Sequence, residues 1–279
     1  MPEGDSIFRA ARTLHRALAG KRVTAFDSVV PALTRVHQDA PITGRTIESV
    51  SAAGKHVLMS FSGDLLLRTH MRMNGSWHIY RKGERWQRPR RDMRIVVATE
   101  DFEAVGFNIP VAEMLKGRPS SGNVLRTLGP DLLSDDFDRD EALRRMRSQR
   151  DVEVADVLLD QRVLAGIGNV YKSEVLFMCG INPFVPIRLL DDADLARIVD
   201  VSRTTLRQNV TGHLAPMTTF RGMRRTTGRD DPSSRLWIYS RGRLPCRKCG
   251  TPISVRAQGR HARLTYWCDT CQPVRQTDT

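Results

Sequence analysis

Residues 165–174 read AGIGNVYKSE, two glycines one residue apart and directly ahead of a helical run that continues through NVYKSEVLFMC. Gly166 and Gly168 permit a tight double turn, and a helix starting there presents backbone N–H groups to an anion. Asn169 at the cap adds a side-chain donor. The same residues also suit an ordinary helix turn, and Glu174 either orients Asn169 or is plain surface charge. The neighbouring stretches are helical too. VEVADVLLDQ reads as one amphipathic helix before the glycines, and DADLARIVDVSRTTLRQNV as another behind the cap candidates Asp191 and Asp192.

Toward the C-terminus, four of the five cysteines lie in the last 34 residues, as Cys246-x2-Cys249 and Cys268-x2-Cys271 with eighteen residues between the pairs. Two such knuckles joined by a β-hairpin can place four thiolates around one tetrahedral zinc, leaving no position for water. One structural zinc is therefore expected. Arg260 and Arg263 fall near the hairpin tip, where they suit phosphate. Cys179, alone at a helix end, reads as a small core residue.

Toward the N-terminus the pattern changes to strands. HVLMSFSGDLLLRTH is two apolar runs around Ser62-Gly63-Asp64, and MRIVVATEDFEAVGF repeats the plan around Glu100-Asp101. Ahead of them, Ile7, Ala10, Ala11, Leu14, Ala17 and Leu18 recur at helical spacing until Gly20. An antiparallel β-sandwich with one N-terminal helix is predicted. Between sandwich and helices, LGPDLLSDDFDRDE holds six acids from Asp131 to Glu141 and reads as a linker.

The 279 residues carry a net charge of +13, with a sequence pI near 10.3. Arg221 to Arg263 contains twelve basic residues against Asp230 and Asp231, and Arg81 to Arg94 seven against Glu84 and Asp92. Clustering of one sign beyond what solubility needs points to a polyanion, nucleic acid first. No apolar stretch approaches a membrane span and no secretory leader is read, so a cytoplasmic, nucleoid-associated monomer without a membrane partner is expected.

Met1-Pro2-Glu3-Gly4 opens the chain. One reading is a proline in a first helical turn with acids at its positive end. The other is removal of Met1, which leaves a secondary amine on Pro2 beside the Glu3 carboxyl group.

MPEG at the start, GIGNVYKSE in the middle and PCRKCGTPI…RLTYWCDTCQ at the end, together with LGPD and WIYSRGRLPC, resemble the formamidopyrimidine-DNA glycosylase/endonuclease VIII family in order and spacing over nearly the whole chain. The resemblance is strongest to actinobacterial endonuclease VIII types. It implies an α+β multidomain chain: a β-sandwich over residues 1–125, an acidic linker at 126–145, a helix–two-turn–helix domain at 146–236 and a zinc-finger hairpin at 237–279. DNA would lie across the cleft between the halves.

The resemblance also implies an activity, a bifunctional glycosylase and abasic-site lyase that needs no small-molecule cofactor. Pro2 would attack C1′ of a damaged nucleotide and Glu3 would manage protons. Lys55 would assist at the sugar or its phosphate, and Arg263 would grip phosphate in the second elimination. Asn169 and His70 would contact the DNA backbone, with Lys172 and Arg260 in the DNA-binding set. Met73, flanked by Arg72 and Asn74, would fill the gap left by an everted base.

The sequence departs from formamidopyrimidine-type relatives in one loop. Their Asp-Pro-Arg-Arg-Phe-Gly run is replaced here by EDFEAVGFNIP, which removes the group implied in pairing with an orphaned cytosine. Oxidised pyrimidines are therefore expected ahead of 8-oxoguanine. The alternatives are a purine-directed glycosylase or a non-catalytic damaged-DNA-binding protein, and the second has no use for Pro2-Glu3.

Overall fold

The computed structural model describes residues 2–117, 123–211, 224–229 and 231–274. They form two compact units, the first ending at Thr127 and the second beginning at Leu128. Removal of Met1, and positions 221–223 and 230 of the basic run from Arg221 to Arg263, lie outside the described residues.

The first unit is the predicted sandwich. Its strands are β1 (Ala25–Ser28), β2 (Ile47–Ala53), β3 (His56–Phe61), β4 (Leu65–His70), β5 (Ser76–Arg81), β6 (Met93–Ala98), β7 (Phe102–Phe107) and β8 (Val111–Lys116). They make two antiparallel sheets, ordered β1-β6-β7-β5 and β2-β3-β4-β8. Alternation decides which side of the first sheet is buried centrally. Ile79, Ile95, Val97 and Ala104 enter the main core, whereas Tyr80, Val96 and Val105 form a smaller cluster on the opposite face. Helix α1 (Gly4–Leu18) packs Ile7, Ala10, Ala11, Leu14 and Leu18 into the main core.

The two predicted hairpins form as read, with Phe61 opposite Leu65 and Ala98 opposite Glu103. Helix α2 (Pro31–Asp39) was not legible, because Leu33 is its only buried residue and no apolar stripe marks it.

The second unit contains α4 (Arg139–Arg147), α5 (Val154–Leu159), α6 (Asn169–Cys179), α7 (Asp192–Thr211) and the hairpin β9 (Ser254–Gln258)/β10 (Arg263–Trp267); a short α3 (Asn123–Arg126) precedes it in the first. Helix α5 is shorter than the ten-residue reading. Helix α6 has the predicted bounds, ends at Gly180 in the left-handed conformation (φ 68°), and buries every residue but Met178. Cys179 is buried there, as expected.

The acidic linker is corrected. Leu132, Leu133, Ala142, Leu143 and Met146 are buried, so most of 126–145 is folded into the second unit. Its acids are used locally: Asp138 caps α4 through the Glu141 N–H at 2.9 Å, and Asp135 pairs with Arg207.

Candidate nucleic-acid interface and metal centre

In the first unit, Pro2 is half-buried and leads into Glu3, the N-cap of α1, whose residue is wholly buried. The Ser6 hydroxyl accepts from the Glu3 N–H at 2.9 Å and donates to the Glu3 carbonyl at 3.0 Å, which fixes the chain direction at this terminus. Asp5, also buried, lies 3.6 Å from Arg9. Helix α1 packs against β2 and β3, and the turn joining those strands carries Lys55 next to Gly54 (φ 56°).

His70 ends β4 directly opposite His56, their rings 4.8 Å apart and edge-on. Its Nδ1 accepts from the Arg72 N–H at 3.1 Å, which assigns the ring proton of the neutral form to Nε2. The chain then turns through Arg72 (φ 46°), Met73 and Asn74, and the Gly75 N–H closes the turn on the Met71 carbonyl at 2.9 Å. A Cβ on Gly75 would stand 2.5 Å from that carbonyl oxygen, so only glycine fits. Met73 is held at the tip, 52% exposed, and so is not a strand-core methionine.

Sequence reading missed what braces this turn. Arg68, 4% exposed, places Nη1 3.1 Å from His56 Nδ1 and pairs with Glu113. Burial, then the charges of Lys55, Arg72 and Arg68, pushes His70 down to about 4. Burial, then His70 and the cations Arg68 and Lys55, pushes His56 to about 3. His78, buried on the other face of its sheet, is lowered to about 4.

A histidine lowered on folding favours the folded state above its unfolded value near 6.5, and loses that contribution as pH falls through the folded value. The first unit should therefore weaken from about pH 6.5 down to about 4, by up to about 1.4 kcal/mol per pH unit for each such histidine. Urea titrations read by hydrogen exchange at β3 and β4 check this. Stability independent of pH across that window would contradict the assignment.

In the second unit, the four cysteine sulfurs all lie within 4.8 Å of one another, with Cys246–Cys271, Cys249–Cys268 and Cys249–Cys271 at 3.9, 3.4 and 3.5 Å. A tetrahedral zinc with bonds of about 2.3 Å holds its sulfurs about 3.8 Å apart, so this donor set fits the ion. Cys246 and Cys268 pack with Phe177 of α6, Ile238 and Ile253 in one apolar cluster.

Glu174 is neither surface charge nor a partner of Asn169. It is wholly buried, and its carboxylate accepts the N–H groups of Trp237, Ile238 and Tyr239 at 2.8–2.9 Å and the Thr226 hydroxyl. Burial nevertheless raises its pKa, against the opposing effect of those bonds.

Gly168, not Asn169, is the N-cap of α6. Asn169 is the first helical residue, with Nδ2 donating to the Leu264 carbonyl at 2.8 Å and Oδ1 buried without a hydrogen-bond partner among the described residues. Lys172 is 1% exposed, which corrects its reading as a DNA contact. Its ammonium donates to Thr265 Oγ1 at 2.6 Å, Thr265 donates to Gln258 Oε1 at 2.7 Å, and Gln258 Nε2 donates to Glu153 and to the Pro183 carbonyl. That chain ties the hairpin to α5 and α6.

Gln258 stands opposite Arg263 in the hairpin register. Arg263 and Arg260 are exposed at or beside the tip, on a cleft of about 570 Å³ that also takes in Arg162 and His261.

Residues 1–109 match the formamidopyrimidine-DNA glycosylase N-terminal domain, and residues 128–219 the formamidopyrimidine-DNA glycosylase H2TH domain. The chain belongs to the formamidopyrimidine-DNA glycosylase/endonuclease VIII family. It is 40% identical to the probable endonuclease 8 2 of Streptomyces coelicolor, over 98% of this chain and 94% of that protein. It is 36% identical to the DNA-(apurinic or apyrimidinic site) lyase Nei2 of Mycolicibacterium smegmatis, over 98% and 99%. The fold matches the Lactococcus lactis formamidopyrimidine-DNA glycosylase solved with DNA containing an oxidised pyrimidine, at a TM-score of 0.82 and 20% identity, covering 98% of this chain and all of that one.

Proposed function

We propose that the protein is a DNA-repair glycosylase and abasic-site lyase that acts through the amine of Pro2 and prefers oxidised pyrimidines. The observation that carries this reading is Pro2-Glu3 at the start of α1 in a chain of this family, with the glutamate wholly buried. A free α-amine has a pKa near 8, and the positive end of a helix disfavours a second cation beside it, so a neutral, nucleophilic amine is accessible near neutral pH.

The amine attacks C1′, the base leaves with a proton, and an iminium joins enzyme and sugar. That electron sink acidifies the 2′ hydrogen, whose removal expels the 3′ phosphate; loss of the 4′ hydrogen from the conjugated iminium so formed then expels the 5′ phosphate. Glu3 serves the proton transfers, Lys55 the sugar-phosphate, and Arg263 the phosphate of the second elimination. His70, Arg72, Asn74, Asn169 and Arg260 bind the damaged DNA, with Met73 as the wedge. Lys172 positions the hairpin.

The zinc is structural. One zinc per chain is expected by metal analysis, and Cys249→Ser or chelation should weaken DNA binding at least about tenfold while the first unit stays folded, because the ion organises only the second unit's finger. Folded, DNA-binding protein without zinc would contradict this.

Lesion preference rests on the loop between β7 and β8. Ile109 there is 1% exposed and Asn108 turns at φ 49°, so no arginine–phenylalanine pair is presented to an orphaned base. In a panel of defined lesions in duplex and single-stranded oligonucleotides, oxidised pyrimidines and abasic sites should be cut faster than 8-oxoguanine opposite cytosine. Equal or faster cleavage of 8-oxoguanine would make the purine-directed reading the better one.

A further inference from the structure

The loop between β5 and β6, residues 82–92, crosses the face of its sheet that is turned away from the main core. Trp86 anchors it. The Trp86 indole N–H donates to Glu103 at 3.1 Å, the ring stacks on buried Tyr80 with centroids 6.4 Å apart, and it meets Phe107 edge-on at 5.8 Å. The Gln87 N–H donates to the Tyr80 hydroxyl at 3.1 Å, and the Arg90 guanidinium lies 5.7 Å from the indole centroid. Around this anchor opens a cleft of about 750 Å³ lined by Arg85, Trp86, Arg88, Arg90, Asp27 and Glu103.

The arginines here are unlike four of the second unit. Arg139, Arg147, Arg188 and Arg207 each pair with an aspartate. Among the described residues, Arg85, Arg88, Arg90 and Arg91 make no ion pair and no side-chain hydrogen bond. Three acids also line the cleft: Glu103 accepts from Trp86, Glu84 accepts the Arg81 N–H at 2.9 Å, and Asp27 is the third. Residues 82–92 carry five cations against Glu84 and Asp92, so the loop keeps a positive excess that draws an external anion.

We propose that this cleft is a second, sequence-independent site for a DNA phosphate backbone, separate from the residues assigned to lesion chemistry. A polyanion of regular charge fits better than an acidic protein, since the cleft is mainly polar and its one large aromatic ring is already covered by Tyr80 and Arg90. Each guanidinium offers a rigid fork of donors suited to phosphate oxygens. The proposal rests on DNA being the protein's substrate, and its role is to hold duplex beyond the lesion.

The test is fluorescence anisotropy of the full-length protein on an undamaged 40-base-pair duplex from 50 to 200 mM salt. Arg85→Gln/Arg88→Gln/Arg90→Gln should flatten the slope of log K against log salt by about two to three, at about 0.9 for each phosphate that is no longer neutralised. The single exposed change Arg85→Gln should flatten it by about one, which guards against a folding defect in the triple variant.

Arg12→Gln/Arg16→Gln/Arg35→Gln removes the same charge elsewhere on the first unit and should leave the slope close to wild type. Coincident slopes for the cleft variants and wild type would overturn the proposal, as would equal flattening by the control triple. Borohydride trapping of saturating abasic DNA should be unchanged in every variant. Failure of the wild type to trap would instead strike the proposed function, with the salt slopes still judging the cleft.

Discussion

Retaining Met1 should abolish covalent capture of abasic DNA by borohydride, whereas the processed chain should be trapped with the adduct on its N-terminal peptide. With Met1 present the Pro2 nitrogen is a tertiary amide, neither basic nor nucleophilic, and no iminium forms. An N-terminal extension should act in the same way. Pro2→Gly should keep partial lyase activity, since a primary amine still condenses with the aldehyde. Mass spectrometry of the trapped peptide checks both outcomes. Full activity with Met1 demonstrably in place would overturn the mechanism and favour the non-catalytic DNA-binding reading.

Glu3→Gln should slow excision of a damaged base by about 10²- to 10⁴-fold, the range a positioned acid or base supplies, while leaving cleavage of a pre-formed abasic site within about tenfold of wild type. The asymmetry follows from the chemistry. Departure of a base needs a proton delivered, but an abasic site already offers an aldehyde. The substitution is nearly isosteric, the Ser6 hydroxyl bonds go to the backbone of residue 3, and the Gln amide oxygen can still accept the Ser6 N–H that the Glu3 carboxylate takes. The helix start should therefore persist, and single-turnover rates on the two substrates separate a chemical role from a structural one. Equal losses on both substrates would count against Glu3 as the proton carrier in base departure.

What could be read from the chain follows a physical divide. Spacing exposed the four cysteines and both ends of α6, because ligand geometry and glycine punctuation are local. Hairpin turns at Ser62–Asp64 and Glu100–Asp101 were legible for the same reason. The polar residues inside α6 were not. Lys172 and Glu174 look like ordinary surface charges, and nothing near them in sequence reveals that their partners lie at Thr265 and at 237–239. Arg68 was hidden likewise: its partner Glu113 is 45 residues away, and an arginine in a strand gives no sign of being buried. The acids from Asp131 to Glu141 misled in the opposite direction, since their charge obscured the leucines folded between them.

Glu174 has a consequence for how this protein can be cut and recombined. A four-cysteine ribbon is ordinarily thought of as a portable part, complete once its ion is bound. Here the three consecutive amides that satisfy the Glu174 carboxylate precede the first cysteine by only a few residues, at 237–239. Deleting the ribbon from Trp237 onward would strand an acid in the middle of α6 and raise the cost of keeping it ionised. A ribbon borrowed from elsewhere could bring all four sulfurs and still fail to seat, unless its lead-in offered the same run of donors. Helix and ribbon are thus constrained to change together, as two halves of one inherited piece.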